Sequence, residues 1–335
     1  LPGLAAHGVR LLRMEELNAT ERQALDAFFD AQVYPVLTPL AVDPSHPFPY
    51  ISNLSLSLAV ELRDPERGHD HFARLKVPKS LPRWVPVTGR TNQFVPLEAV
   101  VGAHLGRLFP GMQVLGWHTF RITRFSDLEI ADTEEADDLL AVIEEQVFQR
   151  RFGEVVRLEV ATGTPVALRT LLLDELRESE DPELTPLTDG EVHEPGSLLD
   201  VGDLMSLATL DVPELRDPPF VPLVPPELRT PERSIFDAIR ERDLLVHHPY
   251  DSFTASVEHF IDAASKDDRV LAIKMTLYRT SGDGAIVRAL TEAAQRGIQV
   301  AVLVELKARF DEVNNITWAR TLESFGVHVA YGLPG

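Results

Sequence analysis

Val270-Leu271-Ala272-Ile273-Lys274-Met275-Thr276-Leu277-Tyr278-Arg279-Thr280-Ser281-Gly282-Asp283 opens the part of the sequence from which the fold can be read. Its apolar run, Val270 to Leu277, predicts a strand. Gly284 to Arg296 has helical spacing, with Gly297 as its C-cap. Ile298 to Leu306 is a second strand, Asn314 to Phe325 a second helix with Gly326 behind it, and Val327 to Tyr331 a third strand. Glycine suits both caps because a helix end often needs the left-handed conformation. Val300, Val302, Leu303 and Val304 put apolar groups on both faces, which predicts helices on both sides of a parallel sheet. The order β-α-β-α-β is that of a right-handed doubly wound unit.

Open parallel sheets bind ligands beyond the carboxyl ends of their strands. Here those ends carry Tyr278-Arg279-Thr280-Ser281-Gly282-Asp283, then Glu305-Leu306-Lys307-Ala308-Arg309-Phe310-Asp311-Glu312, then Tyr331-Gly332-Leu333-Pro334-Gly335. Arg279 and Arg309 therefore follow adjacent strands on one rim. Guanidinium forks match phosphate oxygens and stay charged at any working pH. Gly282 and Gly284 permit a tight loop ahead of a helix whose N-terminus favours anions. Surface ion pairs with Asp283, Asp311 or Glu312 are the plainer role for the same arginines, and spacing alone leaves both open.

Upstream, residues 211–231 hold seven prolines, which block helix and central strand. A domain boundary is expected near residue 220, giving domains 1–220 and 221–335. Ser234 to Glu241 and Ser256 to Ser265 read as helices. In the first domain Asn18 and Glu21 have capping-box spacing, and Leu25, Phe28, Phe29 and Val33 follow at helical intervals. The proline-rich stretch Tyr34 to Tyr50 excludes regular helix. Leu54, Leu56, Leu58, Val60 and Leu62 alternate with Ser55, Ser57, Ala59 and Glu61, the pattern of a half-buried antiparallel strand. Phe72 to Val77, Thr119 to Arg124 and Val156 to Val160 are further strands. Leu97 to Leu108, Ala136 to Phe148 and a segment from about Pro165 are helices. Together they predict an α+β domain followed by an α/β one.

The chain has 335 residues and a formal net charge of -20. Residues 126–220 hold 25 acidic against 6 basic residues, so nearly all the excess is local. Bulk acidity argues against nucleic acid as a partner. No apolar run reaches the length of an integral membrane segment. With no cysteine, disulfides and thiolate metal sites are excluded. Leu1-Pro2-Gly3-Leu4 has neither an initiator Met nor a leader pattern, so a piece of a longer chain is expected. The acidic run Asp132 to Asp138 lacks the glycine turn of a calcium loop and reads as the first turn of a helix.

Three groups of residues carry a resemblance to a known family. The first is His247-His248-Pro249-Tyr250-Asp251-Ser252-Phe253. The second comprises Val270 to Ser281 and Val304 to Glu312. The third is Val36-Leu37-Thr38-Pro39-Leu40-Ala41-Val42-Asp43-Pro44 with His46-Pro47-Phe48-Pro49-Tyr50-Ile51-Ser52-Asn53-Leu54. The chain resembles the polyphosphate kinase family from about residue 34 to its last residue. The resemblance implies an α+β middle domain followed by an incomplete α/β phospholipase-D-like domain with a mostly parallel sheet. It implies reversible transfer of the ATP terminal phosphate to inorganic polyphosphate through a phosphohistidine, with Mg2+ as cofactor and ATP/ADP as partners. A homo-oligomer is expected, located in the cytoplasm, with association at a membrane surface left open.

By the same resemblance Arg279 and Arg309 are associated with phosphate or Mg2+. Arginine carries no acceptor for a metal, so any such metal would be held through phosphate oxygens. Lys307, Tyr278 and His248 are supporting candidates. The family's nucleophilic histidine is expected past Gly335, so no catalytic residue is assigned here and the chain alone is expected to be inactive. Met275 stands where many members have Gln. Among the 11 histidines, His328 sits within a strand, His247 and His248 precede Pro249, and His69 and His71 lie in a polar turn. A hydrogen-bonding or packing role is the expectation for each. The alternatives are a non-catalytic oligomerisation or anion-binding module, and another phospholipase-D-fold phosphotransferase, lipase or nuclease.

Overall fold

Chain contacts divide the protein, in this computed structural model, into two units. One comprises Leu1–Ser126 and Arg150–Asp217, the other Asp127–Gln149 and Pro218–Gly335. The structure describes residues 2–42, 48–125, 139–149, 152–177, 187–196, 198–230, 233–278, 284–306, 308 and 311–331. Asp132 to Asp138 fall outside these.

The first unit opens with α1 (Pro2–Ala6), β1 (Arg10–Leu11) and α2 (Ala19–Phe28). The capping box read at Asn18 and Glu21 is formed in full: the Glu21 N–H donates to Asn18 Oδ1 at 3.0 Å and the Asn18 N–H to Glu21 Oε2 at 2.9 Å. β2 (Leu40–Val42), β3 (Leu56–Arg63), β4 (Asp70–Lys76), β5 (Trp84–Pro86) and β6 (Gln93–Pro96) follow. Next come α3 (Leu97–Ala103), α4 (Leu105–Leu108) and β7 (Gln113–Arg124). After α5 (Leu139–Gln149) come β8 (Val155–Val160), α6 (Val166–Arg177) and β9 (Val192–His193). The main sheet has the order β2-β4-β3-β7-β8-β9, antiparallel except for the last pair. A small sheet, β1-β6-β5, stands beside it.

β3 departs from the half-buried expectation. Leu58, Val60 and Leu62 join a core with Leu25, Phe29 and Val101, while Ala59 joins a second core with Phe120, Leu158 and Leu172. Ser55 and Ser57, read as the wet face, are buried. Small side chains there leave room for cover on both faces of the sheet.

The second unit holds α7 (Ile235–Glu241), α8 (His259–Lys266) and β10 (Ala272–Leu277). Then follow α9 (Ala285–Gln295), β11 (Gln299–Val304), α10 (Glu312–Ser324) and β12 (His328–Tyr331). β10-β11-β12 is a parallel sheet in sequential order. Ile273, Leu277, Val300, Val302 and Val304 pack with Val287, Leu290, Ile316 and Leu322 of α9 and α10. Leu140 and Ile143 of α5 lie in this same core, so α5 packs in the second unit although the chain reaches it from the first.

The expectation of helices on both faces is corrected among the described residues. Lys274, Thr276, Ala301, Leu303, His328 and Ala330 line an open depression of about 400 Å³ on the other face. Alternation along β11 is clear only in burial: Val300, Val302 and Val304 are buried, while Gln299 and Leu303 are exposed. A valine-rich strand conceals that two-sidedness from a reading based on hydropathy. No helix among the described residues is long and apolar enough to cross a membrane.

Candidate active site at the strand ends of the parallel sheet

Register places the three strand ends level. Leu277 pairs with Val304, and Val304 with Tyr331. The Glu305 N–H donates to the Leu277 carbonyl at 2.9 Å, carrying the β10–β11 pairing one residue further. Both crossover helices begin at this rim, α9 after β10 and α10 after β11. The positive ends of both helix dipoles point to this rim, where α10 also carries Asp311 and the buried Glu312.

Asn315 fixes the two strand ends to one another. Its Nδ2 donates to the Tyr278 carbonyl at 2.8 Å and to the Glu305 carbonyl at 2.7 Å. The side chain belongs to a residue only 2% exposed, on the buried stripe of α10 with Ile316, Ala319 and Leu322. One amide thus holds the last peptides before both loops. Leu306 and Ala308, which flank Lys307, are buried, and the Asp311 N–H closes a turn on the Ala308 carbonyl at 2.9 Å. Gly284, the N-cap of α9, has φ +59°, and a Cβ there would lie 2.8 Å from the Trp318 ring. A glycine is required at this position both by conformation and by the approach of α10.

Tyr278 lies on this rim, exposed, one residue past β10. Arg279, Lys307 and Arg309 lie outside the described residues, as does Gly282. What is described is their frame: Tyr278 ahead of Arg279, and Leu306 and Ala308 around Lys307. His248 sits in a turn of its own. Its Nδ1 is 3.0 Å from the Asp251 carbonyl, and its ring packs edge-on to Phe253. Asp251 Oδ2 accepts from the His247 N–H at 2.7 Å, and Leu223 of the linker exchanges two backbone bonds with Tyr250 and Ser252. None of these bonds joins His248 to the rim. His328 lies on the open face of the sheet, away from the strand ends.

Asn315 escaped the sequence reading. Its signal was an amide on a helix stripe shared with Ile316, Ala319 and Leu322, where a buried polar side chain calls for hydrogen-bond partners.

Fold and rim together define a class: an α+β unit and a parallel α/β unit in which two crossover helices begin at the strand-end rim. Comparison with known proteins narrows the class. Residues 20–207 match the model of the polyphosphate kinase middle domain, and residues 234–335 that of polyphosphate kinase C-terminal domain 1. The chain belongs to the polyphosphate kinase family. It is 48% identical to the polyphosphate kinase of Thermosynechococcus vestitus over 99% of this chain and 48% of that protein. It is 49% identical to the polyphosphate kinase of Mycobacterium tuberculosis over 100% of this chain and 46% of that one. The crystal structure of polyphosphate kinase from Porphyromonas gingivalis superposes with a TM-score of 0.77 at 27% identity, covering 100% of this chain and 47% of that chain. The chain thus spans about half the length of the curated relatives it matches.

Proposed function

We propose that this chain is part of a polyphosphate kinase, and that its strand-end rim handles the transferring phosphate. The observation that supports this most is the single buried amide of Asn315 tying together the peptides that lead into both arginine-bearing loops. In this reading the α/β unit is phospholipase-D-like. A histidine of the intact protein attacks the γ-phosphorus of ATP. The bond from the bridging oxygen to the γ-phosphorus breaks, ADP leaves, and a terminal oxygen of polyphosphate then takes the phosphoryl group from the histidine. Arg279 and Arg309 hold the non-bridging oxygens, where stabilisation of charge is the main task of such catalysis. Lys307 and Tyr278 support them, while His248 serves its own turn. In this reading none of the residues named here is the nucleophile, and an assay on the chain alone is expected to show no turnover. The homo-oligomer and the cytoplasmic location belong to the same proposal.

Mg2+ accompanies ATP in this reading. Among the described residues no group of three His, Asp or Glu side chains could hold a metal ion. These side chains do not by themselves fit a magnesium cage, and no step is routed through the ion.

The test is a radiolabelled ATP/polyphosphate assay on the intact protein. Arg279→Ala and Arg309→Ala should each lower turnover at least about tenfold. Arg309→Lys should fail as well, because an ammonium lacks the planar fork. Near-normal rates in both alanine variants would remove the rim from the mechanism. Sustained synthesis by the 335-residue chain alone would show that no further nucleophile is needed.

A further inference from the structure

Most arginines of the first unit that meet another side chain meet a carboxylate: Arg63 with Asp70, Arg83 with Glu98, Arg90 with Glu21, Arg121 with Glu159. With 52 acidic residues against 32 basic ones, partners are plentiful. One region of the main sheet breaks this pattern. Arg74 on β4 is only 5% exposed, and its Nε donates to the Ser57 hydroxyl at 3.2 Å. Its Nη2 is enclosed and has no hydrogen-bond partner. Two residues on, Lys76 donates to the Ser52 hydroxyl at 3.3 Å. At the end of β7, Arg124 donates to the carbonyls of Ile51 at 2.9 Å and Gly153 at 2.7 Å, and its guanidinium lies 4.5 Å from the Tyr50 ring centroid. The segment Tyr50–Asn53 connects these groups, for Asn53 Oδ1 also accepts the Arg124 N–H at 2.8 Å. Among the described residues no carboxylate forms an ion pair with any of the three cations.

An uncompensated buried charge is costly, and leaving its donors unpaired costs more. Burial presses the Arg74 guanidinium below its ordinary value. Burial, and then the like charges of Arg74 and Lys79, press the Lys76 ammonium down too. Among the described residues only the Ser57 and Ser52 hydroxyls hydrogen-bond these two cations. Repulsion between these like charges, with no carboxylate paired to Arg74 or Lys76 among the described residues, is what an anion would relieve. Forked and pointlike cations beside serine hydroxyls suit tetrahedral oxyanions, and several such cations along one sheet suit an extended one.

We propose that Arg74, Lys76 and Arg124, with Ser52 and Ser57 and the neighbouring Lys79, form a phosphate-chain binding site within the first unit. Lys76 and Lys79 are exposed and meet the ligand directly, while the enclosed guanidinium of Arg74 supplies a weakly screened field. The choice of a phosphate chain over other anions rests on the polyphosphate kinase reading. The site itself rests on cations that have no carboxylate partner among the described residues.

Calorimetric titration of the intact protein with inorganic tripolyphosphate tests this, in an Arg279→Ala/Arg309→Ala background that disables the rim. Tripolyphosphate should still bind. Adding Lys76→Gln and Lys79→Gln should weaken it at least about tenfold, with the ligand-free Tm equal or higher. Arg74→Met keeps the apolar stem and removes the charge. It should leave the ligand-free Tm equal or higher while affinity falls, a pairing that a purely structural arginine would not give. Binding that vanishes with Arg279 and Arg309 alone overturns the inference and leaves the proposed function standing. Binding that survives those changes together with full turnover upholds the inference and removes the rim instead. Affinity undiminished by the lysine changes, or a change in oligomeric state alone, also overturns it. A parallel titration with ATP assigns the source: competition with tripolyphosphate points to nucleotide phosphates, and indifference to ATP points to the inorganic chain. Both uphold the site.

Discussion

Asn315 uses one amide nitrogen to bond two carbonyls that follow different strands. Asn315→Ala would remove both bonds, at a cost of about 0.5–1.5 kcal/mol for each. Denaturant unfolding should record that loss, and turnover of the intact protein should fall with it because both loops lose their common anchor. Unchanged stability would show that the amide is dispensable. Gly284 offers a second test at this scale. Gly284→Ala meets the Trp318 ring and must also adopt φ near +59°. The conformational part alone costs about 1–2 kcal/mol. Trp318→Leu in the same chain should restore only the steric share, so the double variant should stay below Trp318→Leu itself. The glycines at strand–helix junctions were legible from sequence because their conformational need is local. Asn315 was not, because its partners come from two other elements.

Among the elements, those with several turns or alternations could be read directly, as with α2, β3, β10, α9 and β11. β1, β5 and β6 could not. They hold 2, 3 and 4 residues, too few for a period, and β5 ends in Pro86. Their existence depends on pairing across the chain, as Arg10 does with Gln93. The join between α8 and β10 carries a pH prediction. The Arg269 side chain, at 2.7 Å, and then its backbone N–H hold the Asp267 carboxyl down at about 2 from its ordinary 3.8. Folding therefore favours the ionised form. The stability this contributes is complete above the unfolded value and is lost as pH falls toward the folded one. Thermal unfolding across pH should show a shallower decline between about pH 4 and 2 for Asp267→Asn, with parallel curves above about pH 5. Identical slopes in the acid range would mean that the pair is not formed in solution.

At the scale of the whole molecule, chain contacts change unit at Pro218, within the stretch 211–231 that holds seven prolines. The allegiance of α5 was not visible. Its apolar residues would serve any core, and nothing local says that Leu140 and Ile143 join Ile261 and Ile316. Arg320 of α10 and Glu144 of α5 add an ion pair to that association. Arg279 and Arg309 themselves lie outside the described residues, whereas strand order and register in the second unit were legible, because they follow from the β-α-β-α-β pattern. The cations around Arg74 were not, since they come from β4, β7 and a proline-flanked segment that meet only in the fold.

The placement of α5 makes the second unit discontinuous in sequence. A gene cut at the prolines would yield a carboxyl-terminal fragment with a gap where one helix belongs. Such a fragment should bind a hydrophobic dye, and a synthetic peptide spanning residues 139–149 should displace that dye. The same topology bars the unit from being inherited as a single contiguous cassette, because duplication or shuffling of residues 218–335 would leave one wall of its interior behind.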